Sequence, residues 1–168
     1  MNDEVLYEER ITSNKTEALF ILLTLLPTLL FIWSTKTGRK GKLKAVSLFL
    51  SILFLFYSLS YRTLIIRLSS RSLKLLFGLS SWVVPVDNIE NIHIDEIPLV
   101  MRLGGAGIHF MMIRKRYRAS FNFLEYPRVV IEFKKKVGPV QDISFSTRQP
   151  DQLVHLVHNV VSANTVVD

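Results

Sequence analysis

Ala18–Trp33 reads ALFILLTLLPTLLFIW and Ala45–Tyr61 reads AVSLFLSILFLFYSLSY, and neither stretch contains a charged residue. A bilayer span needs about 20 apolar residues, with about 17 as the lower limit. Both blocks sit at the short end of that range, and Thr16 or Leu43 can extend them. A helix of a soluble protein normally shows a polar face, and these blocks show none. The pattern therefore predicts a two-helix transmembrane hairpin over residues 16–61. Trp33, Tyr57 and Tyr61 lie near the block ends, where amphipathic rings favour the membrane–water boundary. Pro27 is tolerated within a span when a neighbouring helix packs beside it. Ser47 and Ser51, four residues apart, allow close helix approach, although serine is also ordinary in a helix.

A cleaved signal peptide is the competing reading of the first block. Such peptides start with positive charge and end at small residues. Here the start carries Asp3, Glu4, Glu8, Glu9 and Glu17, and no small-residue pattern follows Trp33. Orientation is not fixed by charge. The connecting segment carries Lys36, Arg39, Lys40, Lys42 and Lys44, against Arg10, Lys15, Arg62, Arg67, Arg71 and Lys74 on the other side. The positive-inside rule cannot choose between five and six.

Beyond Tyr61 the periodicity shortens. Leu64, Ile66 and Leu68 alternate along Thr63–Ser69, as in a strand with one apolar face. Leu73–Phe77, Trp82–Val86, Ile89–Ile94, Ile108–Ile113, Arg118–Phe123, Val129–Phe133 and Ile143–Ser146 are further predicted strands. Pro85 suits an edge position. Pro98–Gly107 reads as a loop, and Val137-Gly138-Pro139 as a turn. After Pro150, Leu153, Val154, Leu156, Val157, Val160 and Val161 recur at helical spacing. Pro150 fits a first helical position, and Asp151 complements the helix dipole. Residues 1–15 and 163–168 read as loose tails around a β domain at 62–162.

The charge distribution points to a surface rather than to a reaction. Through Tyr61 there are seven basic and five acidic residues, net +2; beyond it fourteen and nine, net +5. The chain has no cysteine, which excludes disulfides, thiolate metal sites and a cysteine nucleophile. His155 and His158, three apart on the last helix, could share a metal, but a closed zinc site takes four ligands. The favoured reading puts them on the polar side of that helix. His93 and His109 read as half-exposed strand residues. Asp87, Glu90, Asp95 and Glu96 read as a solvated turn, because no nucleophile or oxyanion donor accompanies them. Gly104-Gly105-Ala106-Gly107 lacks the Lys-Ser or Lys-Thr of a phosphate loop. No cofactor, metal or catalytic residue is expected, and the chain does not read as an enzyme.

Leu73–Phe77, Gly78-Leu79, Val83–Val86, Asn88-Ile89 and Ile92–Ile94 resemble the first sheet of bacterial and archaeal pleckstrin-homology-like (PH-like) membrane proteins. There a strand ends in Phe-Gly, and a hydrophobic-Pro-hydrophobic step precedes an Ile-containing turn. Gly105-Ala106-Gly107-Ile108, Tyr126–Ile131 and Ser144-Phe145-Ser146-Thr147 followed by Pro150-Asp151 resemble that family's second half. The resemblance spans roughly residues 60–162. It implies a bent antiparallel sheet of about seven strands closed by a C-terminal helix, often joined to a membrane hairpin. It implies no catalytic residues. It also implies a multi-pass protein of the cell membrane with the β domain on the cytoplasmic side.

Two clusters concentrate positive charge at predicted strand ends: Arg114, Lys115, Arg116 and Arg118 around Tyr117, and Lys134, Lys135 and Lys136. Basic side chains near an anionic surface contribute about 1 kcal/mol each, so these seven are the candidate lipid-surface contacts. Ordinary solvated turn charges are the plainer alternative. The expected function is a membrane-anchored PH-like binding or scaffold module, recognising a protein partner, an anionic lipid surface, or both. The partner's identity is open, a homo-oligomer is compatible, and nucleic acid is not expected. A small structural subunit of a larger membrane complex is the second reading, and a membrane enzyme the third.

Overall fold

The computed structural model describes residues 4–38, 41–60, 62–95, 107–113 and 115–165. Strand β1 (Val5–Thr12) precedes two long helices, α1 (Asn14–Lys36) and α2 (Gly41–Ser60). Strands β2 (Thr63–Ser69), β3 (Ser72–Phe77) and β4 (Ser80–Pro85) follow, then a 3-10 turn at Val86–Asn88. Next come β5 (Ile89–Ile94), β6 (Gly107–Ile113), β7 (Arg116–Asn122), β8 (Arg128–Val137) and β9 (Val140–Ser146), with helix α3 (Pro150–Thr165) last.

The two helices are as long and apolar as a membrane crossing requires, and only 11% of each apolar window is buried. At 1.5 Å per residue, 23 and 20 residues reach the roughly 30 Å of a hydrocarbon layer. Leu22, Leu25, Leu26, Leu29, Phe49, Ile52 and Leu59 are all at least half exposed, and a contiguous apolar surface of this kind marks a membrane or protein contact. The helices pack along each other. Ser34 and Ser47 are buried, and their hydroxyls donate to Phe31 O and Leu43 O of their own helices. Small side chains whose hydroxyls are satisfied within their own helix suit close helix approach.

The reading of residues 1–15 as a loose tail needs correction. Val5–Thr12 is a strand, antiparallel to β2, and Thr12 pairs with Thr63. Tyr7 and Ile11 enter the core. The acidic residues hid the alternation: Glu8 projects outward to a bidentate pair with Arg67, while Glu9 accepts from Tyr7 Oη, Thr147 Oγ1 and the Arg148 amide. Burial and the Glu9 carboxylate push the Tyr7 phenol above its ordinary pKa. Cleavage after Trp33 would remove this core strand, which counts against a signal peptide.

Among the described residues the strands form two sheets, β1-β2-β3-β4 and β5-β8-β9-β7-β6. Each sheet turns one apolar face inward: Leu64, Ile66 and Leu68 with Leu73, Leu75 and Phe77 from the first, Val129, Ile131, Ile143, Phe145 and Phe121 from the second. Phe77 meets Phe121 edge-on, at a centroid distance of 6.2 Å. Helix α3 closes the core against β5 and β8, burying Leu153 and Val157 completely while Leu156 is only partly covered. The described residues form nine strands in two sheets where the resemblance implies one sheet of about seven, and β7 runs parallel to β9, so the second sheet is not wholly antiparallel. The chain leaves β7 through residues 123–127, pairs β8 with β5 on its outer side, and returns as β9 between β8 and β7.

Candidate functional site

The position of the basic clusters follows from strand direction. β1 runs into α1, and α2 runs into β2, so the Thr12–Thr63 pair marks the helix-proximal end of the first sheet. The β3–β4 turn lies at that end, because a Cβ added to Gly78 would stand 1.5 Å from Ser60 O, the last residue of α2. The second sheet has its proximal end beside the same helices. Leu124 N donates to Thr16 Oγ1, Tyr126 Oη donates to Thr12 O, and Gly107 faces the Phe20 ring. Phe20 in turn stacks on Tyr57, with centroids 5.9 Å apart. The beginnings of β6 and β8 and the ends of β7 and β9 are therefore proximal.

The β6–β7 turn at Lys115 and the β8–β9 turn at Gly138 must then be distal. They lie side by side, because β7 and β9 are parallel with Arg118 opposite Asp142. Six or seven residues at about 3.3 Å each place both turns roughly 20 Å beyond the helix-proximal end. Charge attraction is screened within about 10 Å at 0.1 M salt. The clusters thus share one surface, as a common function requires, but it is not the surface next to the helices.

Within the clusters the residues divide. Lys134, Lys135 and Lys136 are exposed at the end of β8. Their backbone is held by Asn88, which donates to Lys135 O at 3.0 Å and accepts from Lys135 N at 2.8 Å. Asn88 thereby continues the β5 pairing beyond Ile89. Pro85, Asp87 and Asn88 form with Lys134 and Lys135 a shallow groove at this end. Lys115 is exposed at φ +68°, a turn conformation that few non-glycine residues adopt. Arg114 lies outside the described residues.

Arg118 is not a surface contact. Its side chain is 8% exposed and donates to Asp142 Oδ1 at 2.7 Å and to Asp95 Oδ2 at 3.4 Å. Arg116 is intermediate, with pairs to Asp142 at 3.3 Å and Glu132 at 3.7 Å. Asp95 is consequently a buried ion-pair partner and not part of a solvated turn. Alternation explains both corrections: Arg118, Ser120 and Asn122 share the face of β7 that pairs with Asp142, Ser144 and Ser146 of β9. Ser144 donates to Ser120 at 2.9 Å, and Asn122 donates to Ser144 at 3.4 Å. This buried polar row was not found from sequence. Its signal was the alternation Arg-Ala-Ser-Phe-Asn opposite Asp-Ile-Ser-Phe-Ser.

His155 and His158 are exposed on α3, and His155 hydrogen-bonds Asn159. Among the described residues no three His, Asp or Glu side chains converge as a metal site would need. Comparison with family models, with curated proteins and with solved structures gives no match to this chain.

Proposed function

We propose that this chain is a membrane-anchored, non-catalytic binding module, PH-like in its paired sheets and closing helix, that presents a basic surface to an acidic protein partner. The observation that carries this reading is the placement of Lys115 and Lys134–Lys136 at the end of the sheets opposite the helices. Among the described residues these four lysines make no ion pair, whereas Arg67, Arg62, Arg116 and Arg118 all do. At roughly 20 Å from the helix-proximal end they are too far from the module's own bilayer for strong attraction to it. An acidic protein surface approaching from solvent fits that position, and steering by unpaired charge favours fast, salt-sensitive association.

Site-specific photocrosslinking in native membranes tests this. A photoreactive residue at position 135 should give a discrete protein adduct, reduced when Lys134 and Lys136 are changed to Gln. A photoreactive residue at Phe49, on the exposed apolar face of α2, tests the second reading, a structural subunit held by its hairpin. An adduct from position 49 with none from position 135 would replace the first reading by the second.

A further inference from the structure

The β3–β4 turn carries an apolar side chain with no role in the core. Leu79 is 81% exposed, more than any other large apolar residue among those described. Single exposed leucines are common and need no explanation. This one differs in where it stands. Gly78 has φ +60°, a conformation that glycine adopts without strain, and its Cα packs against the terminal carbonyl of α2 so closely that no side chain fits. Gly78 N also donates to Thr63 O at 3.3 Å, which pins the turn to the start of β2. The turn is thereby fixed directly beside the end of α2, whose last exposed apolar residues are Phe56 and Leu59. Leu79 extends that apolar surface past the helix end.

Depth follows from helix geometry. Tyr57 precedes Ser60 by three residues, or about 4.5 Å of rise. An aromatic ring at a span end sits at headgroup level, and Leu79 stands about one turn beyond it. Lys15 is exposed at the same end, where an ammonium group favours anionic headgroups, and Arg62 beside it pairs with Glu17.

We propose that the Gly78-Leu79 turn dips into the interfacial layer of the bilayer that holds α1 and α2, with Leu79 as the inserted side chain. This rests on the membrane reading of the hairpin and adds a second attachment between the β domain and the same lipid surface. Two attachments fix the tilt of the domain and so keep the basic turns pointed away from the bilayer.

The chain has no cysteine, so single nitroxide labels can be introduced without background. The full chain is reconstituted in phosphatidylcholine vesicles with a label at Leu29→Cys, Leu79→Cys or Lys135→Cys. Collision with oxygen, which partitions into lipid, is compared with collision with a water-soluble nickel chelate. The label at 29 should favour oxygen, that at 135 the chelate, and that at 79 should fall between them with the chelate at least threefold less effective than at 135. Equal chelate access at 79 and 135, with 29 shielded, overturns the proposal and leaves the hairpin reading intact. Chelate access at 29 overturns both.

Discussion

Arg118 Nε donates to Asp142 Oδ1 at 2.7 Å across the parallel β7–β9 pair, and Asp142 is fully buried. The carboxylate also lies 3.3 Å from Arg116 Nε, so one buried anion holds two cations. Removing a single partner of a buried pair strands the remaining charge, typically at a cost of about 3–5 kcal/mol. Asp142→Ala is therefore expected to lower stability by about that amount. The triple change Arg118→Met, Asp142→Leu and Asp95→Asn removes the buried charges together, leaves Arg116 paired with Glu132, and should cost much less. Thermal unfolding of the full chain in detergent, followed by circular dichroism, compares the two.

Leu153 and Val157 are fully buried under α3, and Leu156 is not. Leu153→Ala should cost about 2–5 kcal/mol through the cavity it leaves. Leu156→Ala should cost clearly less. Equal losses in the same unfolding measurement would contradict the helix rotation described above.

Thr12 and Thr63 are direct partners on adjacent strands, so the hairpin occupies a place that a tight turn could close. Replacing residues 13–62 by Asn-Gly, which favours a two-residue β-hairpin turn, should yield a folded, water-soluble β domain. Residues 62–168 alone lack β1 and should not fold stably, because Tyr7 and Ile11 are missing from the core. Amide proton dispersion in NMR spectra distinguishes the two proteins.

Glu125 accepts from the Lys15 amide at 2.6 Å and from Ser13 Oγ at 3.0 Å. The Lys15 amide contributes most to holding this carboxyl below its usual pKa, and the Ser13 hydroxyl adds to it. A depressed folded value means that the contact stabilises above the unfolded carboxyl's pKa and is lost as pH falls through the folded one. Hydrogen exchange at Lys15 should therefore accelerate, relative to its intrinsic rate, as pH drops through the acid range. Glu125→Gln should abolish that dependence while leaving exchange in β8 unchanged.

Much of this architecture was legible in residue order. Uncharged blocks gave the helices, and alternation placed β2 and β5 to the residue. Pro150 marked the start of α3. What was missed depends on partners distant in sequence. β1 looked like an acidic tail because Glu8 and Glu9 find their cations and donors at Arg67, Thr147 and Arg148, which no local window contains. The basic clusters were legible as charge, but their distance from the helices required strand direction and the parallel β7–β9 pairing. Arg118 looked like its exposed neighbours because its face is set by Asp142, twenty-four residues away.

The pairing of β1 with β2 also governs the order of events during synthesis. Translation proceeds from the N-terminus at about 5–20 residues per second. β1 is complete fifty residues before β2 begins. For several seconds it exists as an unpaired edge, followed at once by two helices that leave water on the proposed membrane topology. The four glutamates and aspartates among its residues and those just before it keep that waiting strand soluble and discourage its pairing with other chains. Only when α2 has turned back to the starting side can Thr63 meet Thr12. On the proposed membrane topology, closing this first strand pair reports that both helices have crossed, and a chain stalled after β1 has left the ribosome but before β2 has should carry β1 in a protease-sensitive form.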